Sequence, residues 1–421
     1  MVGGEMHLEF YKAYKEHGSA VRIGPNRILV SDAHYLRKIW GVKSPYRRAC
    51  TQTGMKLEPK RDTVLTYLDE EKHLQMRATL AAAYNGKDCS HVEKKVDSHI
   101  NALIELIRRK YLPSSSQTPA SMDFGIASTI LALDIATDLT FSHPIQDSAE
   151  CDQDLTGYLA GMLQGLPVMQ TLMAFPKLIR LSTSSGASKL VESTKNSSTG
   201  LGRMFGFARD RTRERYGENK IVSNDILGSM VRRGLSLDEA EAEGLLAAMA
   251  GADPVGTAIR VNILYTTTNS RIYNRLMTEF AAHGLLTPAS LTNLVSYDTL
   301  RKLPYLSAVI KESFRIHPPY VGLLEKAVPE GGDFLPDNRF LPAGTLIGSN
   351  IWAIQRDATV FGPDAESFRP DRWLECGSEQ RGSMEKMVEL CFSSGRYTCL
   401  GKEVAAMEIY KAVAEVRFSP E

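Results

Sequence analysis

The sequence predicts a mainly α fold with a minor β-sheet region, and three observations carry that prediction. In HVEKKVDSHINALIELIRRKY, Val92, Val96, Ile100, Leu103 and Leu106 recur at three- and four-residue steps, the signature of an amphipathic helix. The longest helix-compatible run, LDEAEAEGLLAAMAGADPVGTAIRVNILYTTTN, extends from Leu237 to Asn269. Segments of β character are few and short.

In chain order, the amino-terminal stretch MVGGEMHLEFYKAYKEHGSAVRIGP has neither the apolar core of a signal peptide nor an apolar run of membrane length. VRIGPNRILVSD places two β-branched runs around Gly24, Pro25 and Asn26, which suits a small hairpin. From Glu70 onward the pattern turns helical. PSSSQTPAS, LSTSSGASK and NSSTG read as loops, and the long run from Leu237 is interrupted by Gly251, Asp253, Pro254 and Gly256. Short β-like pieces return at GTLIGSNIW. No repeat occurs and composition does not shift across the loops, so residues 1–421 are expected to form one domain.

Composition narrows the function. The chain has 421 residues, 43% hydrophobic and 24% charged, with a formal net charge of +1, so it offers no field for nucleic acid or anionic lipid. The cysteines Cys50, Cys89, Cys151, Cys376, Cys391 and Cys399 are too scattered for a disulfide framework, which points to a reducing compartment. Cys399 lies in FSSGRYTCLG, just before a predicted helix, GKEVAAMEIYKAV, with Val404, Met407, Ala412 and Val413 along its apolar face. Unpaired N–H groups and the dipole at a helix start favour a thiolate, and Gly395 and Gly401 permit a tight turn. Alone, such a cysteine reads equally as a structural residue in a turn.

The loop resembles the haem-binding loop of the cytochrome P-450 family, Phe-Gly-x-Gly-x-Arg-x-Cys-x-Gly. Phe392, Gly395, Cys399 and Gly401 match in register, whereas Ser393 replaces the first glycine and Tyr397 stands where arginine is usual. KESFR, NIWAIQRDATVFGP and FRPDRW precede it in the family's order. The resemblance runs from GSAVRIGPN to the end and is similar in flavour to fungal microsomal members such as pisatin demethylase. It implies haem b with Cys399 as the axial thiolate ligand of the iron, the ligation used to promote O–O cleavage. It further implies that Glu312, Arg315 and Arg372 interlock beneath the haem, and that His73, Arg77, Lys326 and Arg396 contact the cofactor, with Lys326 standing at a position where the family has arginine.

In the family, Ala/Gly-Gly-x-Asp/Glu-Thr crosses the distal face of the haem, and the acid–alcohol pair relays protons. The match here is Ala250, Gly251, Ala252, Asp253 and Pro254, so proline replaces the alcohol and is expected to accentuate a kink. Thr257 lies on roughly the same face and offers a hydroxyl; Gly251 is expected to leave room for oxygen and substrate. Relative to the family, the chain is expected to lack the amino-terminal membrane helix and, ending 22 residues after Cys399, much of the carboxyl-terminal β region. Family members are usually bound to the endoplasmic reticulum membrane.

The activity implied is insertion of one oxygen atom from O2 into a small apolar molecule, in fungal secondary metabolism, with electrons from an NADPH-dependent reductase. The alternative is a haem-binding pseudoenzyme, or a catalyst of rearrangement or coupling without ordinary oxygen activation.

Overall fold

The computed structural model describes residues 4–58, 60–112, 121–146, 153–154, 156–175, 200–218, 220–286 and 294–416. Cys151, the expected loop LSTSSGASK, all of PSSSQTPAS but its last serine, all of NSSTG but its last glycine, and the last five residues lie outside them. The principal helices are α1 (Met6–His17), α2 (Ala33–Trp40), α3 (Glu70–Tyr84), α4 (Val92–Lys110), α5 (Phe124–Phe141), α6 (Tyr158–Ala174) and α7 (Gly200–Arg213). There follow α8 (Ile226–Arg232), α9 (Leu237–Thr267), α10 (Ser270–Ala282), α11 (Pro304–Ile316), α12 (Ser378–Val388) and α13 (Lys402–Glu415).

The sheet is small, as its short apolar runs require. β1 (Ala20–Gly24) and β2 (Arg27–Val30) form the antiparallel hairpin around Pro25 and Asn26. β2 continues parallel to β7 (Leu346–Ser349), which pairs antiparallel with β4 (Lys326–Ala327), and β4 with β3 (Arg47–Arg48). The order is therefore β1-β2-β7-β4-β3, while β5 (Asp333–Phe334) and β6 (Phe340–Leu341) make a separate ribbon. Within GTLIGSNIW the strand ends at Ser349, where the Asn350 side chain caps a helical turn over Ile351–Ile354.

The predicted face of α4 is inward: Val96, Ile100, Leu103 and Leu106 are buried. α5 is apolar enough to cross a membrane by length and composition, but nearly all of it is buried in the core, which accounts for its hydropathy. It packs closely along α9. A Cβ at Gly251 would come 2.8 Å from the Cβ of Ala136, and one at Gly256 would come 2.8 Å from the Cα of Thr129. The missing side chain of Gly251 thus serves close contact between helices.

α9 also differs from the interrupted run that its sequence suggests. It begins with a capping box, Ser236 with Glu239, and continues for 31 residues with Pro254 inside it. A proline in a helix interior costs about 3 kcal/mol. Here the flanking residues Ala252, Val255, Gly256 and Ala258 are buried in the core, and their packing holds the helix in one piece.

A polar knot lies at the end of α11. The carboxylate of Glu312, with no exposed surface, accepts five bonds: from Nε and Nη2 of Arg315, both at 2.9 Å, Nε of Arg372 at 3.0 Å, the Arg369 backbone at 2.8 Å and Nε1 of Trp373 at 2.9 Å. Arg315 also bonds the carbonyls of Gln355, Ala365 and Ser367, and Arg372 those of Phe361, Asp364 and Ser367. Removal of one member leaves buried charge unmatched, at a cost of about 3–5 kcal/mol. Glu312→Ala is therefore expected to lose stability on that order in urea unfolding of the holoprotein. A loss below about 1 kcal/mol, the worth of an exposed pair, would remove the knot from the core.

Candidate functional site

The loop before α13 is held by its own backbone. Cys399 N–H donates to the Phe392 carbonyl at 2.9 Å, and the Phe392 ring packs edge-on against Phe314 of α11, centroids 5.2 Å apart. Gly395 has φ +60°, and a Cβ there would lie 2.2 Å from the Trp40 carbonyl at the end of α2. Ser393, where the family pattern has glycine, adopts φ 62° and ψ −169°, a region that side chains other than glycine's enter only under strain.

Cys399 is exposed, yet burial is the largest influence on its thiol and pushes it up, against the Gly401 N–H and the charges of Arg77 and Lys402, which pull it down. The cysteine of the loop is therefore reachable from solvent. Cys391, eight residues earlier, is half-buried, and burial raises its thiol to a much larger extent. The five described cysteines are all free. Among the described residues no three His, Cys, Asp or Glu side chains gather to hold a metal. Cys399 can therefore supply one ligand to a metal whose remaining donors come with its cofactor.

Beside this loop is an excess of buried positive charge. Lys326 is 2% exposed, and its Nζ sits 3.4 Å from the centroid of the Tyr397 ring, with no hydrogen-bond acceptor among the described residues. Arg48 lies 5.0 Å and Arg396 5.7 Å from the same ring. Arg396 bonds the Ser44 carbonyl, and Arg48 bonds the carbonyls of Val64, Leu65 and Tyr67 and, at 2.7 Å, Nε2 of His73. Arg77 is half-buried and makes no hydrogen bond among the described residues. The sole carboxylate in this group is Glu70, which accepts the Tyr397 hydroxyl at 2.6 Å and stands 3.6 Å from Arg396.

Burial lowers Lys326 well below its ordinary value, with Arg48 adding to the shift. Burial, then Arg48, Arg77, Lys326 and Arg396, lowers His73 to about 3, so its ring is neutral. With Nε2 accepting from Arg48, the His73 proton sits on Nδ1, a buried atom without an acceptor. Four cations, one carboxylate and an unmet donor make a setting for a ligand that brings further negative charge. A flat cofactor with two carboxylates, reaching from this cluster to Cys399, fits the donors present.

On α9 the four positions named from the sequence differ in burial. Ala250 is exposed and Asp253 and Pro254 are half-buried, while Thr257 is 6% exposed and its Oγ1 accepts from Nη2 of Arg260 at 2.6 Å. Asp253 acts electrostatically on Tyr158 of α6, whose buried hydroxyl has no partner among the described residues. Nearer the start of α9, Glu243 is 2% exposed and accepts the Val64 N–H at 2.6 Å; burial raises its carboxyl to about 8.

The structure brings His73, Arg77, Lys326 and Arg396 together beside the loop that carries Cys399, while Arg48, Glu70, Glu243 and Arg260 were not named from the sequence. Arg48 lies in a two-residue strand without periodicity. Glu70 had a signal, its position three residues before His73 on one helix face. Arg260 had another, since it follows Thr257 by three residues.

Two measurements probe the site. Ser393→Gly relieves the left-handed backbone and is expected to stabilise the protein by about 1 kcal/mol in thermal unfolding; a destabilised variant would show that the serine fits its backbone. Glu243 binds a proton in the folded chain up to about pH 8, and in the unfolded chain only to its ordinary value of 4.5. Its contribution is therefore complete below 4.5 and is lost as pH rises through 8. Glu243→Gln keeps an acceptor for Val64, so its stability relative to wild type should climb between pH 5 and 8 by on the order of 1 kcal/mol per pH unit. Parallel pH curves would mean that Glu243 is ionised throughout.

Comparison with known proteins agrees with this geometry. The model of the Cytochrome P450 family matches residues 1–416. Cytochrome P450 monooxygenase ABA1 of Pyricularia oryzae is 34% identical over 420 residues, 98% of this chain and 81% of the relative. Cytochrome P450 monooxygenase aba1 of Botryotinia fuckeliana is 33% identical over 96% of this chain and 79% of the relative. Cytochrome P450 monooxygenase abl1 of Leptosphaeria maculans is 31% identical over 96% and 70%. A cysteine loop, a buried Glu-Arg-Arg knot and a long core helix, with this match along nearly the whole sequence, make the chain a member of the cytochrome P450 family of monooxygenases.

Proposed function

We propose that the chain holds haem b with Cys399 as the axial thiolate and uses it to insert one oxygen atom into a small apolar molecule. The buried cation excess around Tyr397, close to an accessible Cys399, is the observation that carries this reading. Bound haem supplies the reductive activation of O2, in the net reaction R–H + O2 + NADPH + H+ → R–OH + H2O + NADP+. Electrons enter from an NADPH-dependent reductase.

The protein's own groups divide the remaining work. Arg48, Arg77, Lys326 and Arg396 neutralise the two propionates, with Lys326 acting as a point charge where a guanidinium would have formed a fork. His73 donates from Nδ1. Arg77 and the Gly401 N–H favour the anionic form of Cys399 against burial. The accessible residues of α9 line the substrate side, where Ala250 contributes apolar surface and Asp253 moves protons. The curated relatives are named as monooxygenases, which supports the same chemistry. A second reading, rearrangement or coupling without the usual proton relay, draws on Pro254 in place of the alcohol.

The reduced carbon-monoxide difference spectrum of the purified holoprotein tests the ligand. Cys399→Ala is expected to abolish the thiolate-type band and Cys391→Ala to retain it. The reverse pattern would move the ligand to Cys391 and undo the assignment.

A further inference from the structure

The helix α9 contains an arginine that neither the fold nor the cofactor cluster uses. Nη2 of Arg260 donates to Oγ1 of Thr257 at 2.6 Å, and Nη1 donates to Oγ1 of Thr129 on α5 at 3.0 Å. The guanidinium has no carboxylate partner among the described residues. It is fixed between two hydroxyl oxygens, one of which belongs to the face of α9 that carries Ala250 and Pro254. At 100° per residue, Thr257 is almost eclipsed with Ala250, two turns on.

The state of the Thr257 hydroxyl follows. Threonines inside helices usually give their proton to the carbonyl four residues back. Thr129, Thr137, Thr212, Thr267 and Thr268 all do so here, to Gly125, Leu133, Ala208, Ile263 and Leu264. Thr257 makes no such bond to Asp253 among the described residues. Its oxygen receives a charge-assisted bond from Arg260, as that of Thr129 does, but unlike Thr129 its O–H has no acceptor among the described residues and is left uncommitted and more strongly polarised.

We propose that Arg260 is a positioning residue: braced on Thr129, it holds Thr257 so that its hydroxyl donates into the cleft, in the role of the alcohol that Pro254 removes. This rests on the oxygen-activating reading above. In the step itself Thr257 loses a proton to the oxygen being reduced and regains one from water, so one O–H bond breaks and one forms at Oγ1. The electrons come from NADPH.

A measurement without added substrate tests the idea, because the substrate is unidentified. With a fungal NADPH–cytochrome P450 reductase, O2 reduced to peroxide consumes one NADPH, whereas O2 cleaved to two waters consumes two. Peroxide formed per NADPH therefore reports failed proton delivery. Arg260→Gln and Thr257→Val are both expected to raise that ratio, with the water-forming share falling roughly tenfold, the worth of one charge-assisted hydrogen bond. Arg260→Lys should retain part of the water-forming share. Adding Pro254→Thr to Arg260→Gln should restore it, which loss of packing alone would not allow. A crystal structure of Arg260→Gln should show the Thr257 hydroxyl turned back onto the Asp253 carbonyl.

If Thr257→Val raises the ratio and Arg260→Gln does not, the positioning role is overturned while the relay through Thr257 stands. If neither changes it, the relay reading itself fails. Should Arg260→Gln not fold, Arg260→Lys and Thr129→Val decide, since the proposal requires both to raise peroxide and fails if both match wild type.

Discussion

The Glu312 carboxylate is the constraint on which the rest of the molecule depends. Fully buried, it is neutralised by Arg315 and Arg372 and also saturated by donors from the segment after β7, the Arg369 backbone and the Trp373 indole. Because the two arginines spend their other N–H groups on carbonyls between Gln355 and Ser367, the knot ties an irregular stretch of chain to the end of α11. A buried ion pair is weak evidence of stability in itself. Its value here is geometric, because α11 also carries Phe314, against which the cysteine loop rests through Phe392.

From that base the site departs from ordinary protein packing in one respect. Buried cations can be matched here, as when Lys411 meets Glu93 and Asp97. Around Tyr397 they are not, and the aromatic ring, lying under three cations and stacked on neutral His73, separates charges that would otherwise repel at close range. Tyr397 replaces an arginine of the family pattern, yet the group loses no cationic character, since Arg396 and Arg48 approach the same ring. Arg48 also grips the carbonyls at positions 64, 65 and 67, so the charge cluster and the segment that meets Glu243 on α9 are one mechanical unit.

How much of this was legible in sequence depended on the range of the interaction. Helical faces were readable because periodicity is local: the buried stripe of α4 is the one that Val96, Ile100, Leu103 and Leu106 spell out. The cysteine loop and the Glu312–Arg315 pair were readable because their members are close in the chain. Trp373 was not, since its indole bond to Glu312 spans 61 residues and depends on how the intervening loops return. The approach of Gly251 to Ala136 was not legible for a related reason, as only the neighbouring helix shows it. Ser393 was visible as a departure from a pattern, but the cost of that departure resides in a backbone angle.

The unbroken passage of α9 through Pro254 has one more effect. A residue without an N–H leaves the carbonyl four positions earlier without its usual donor, and that carbonyl belongs to Ala250, an exposed residue of α9. The helix thereby carries a backbone acceptor without its usual donor, in the same turn as the half-buried Asp253. The proline that stands where the family pattern has an alcohol thus exchanges a side-chain hydroxyl for a backbone acceptor on the same helix.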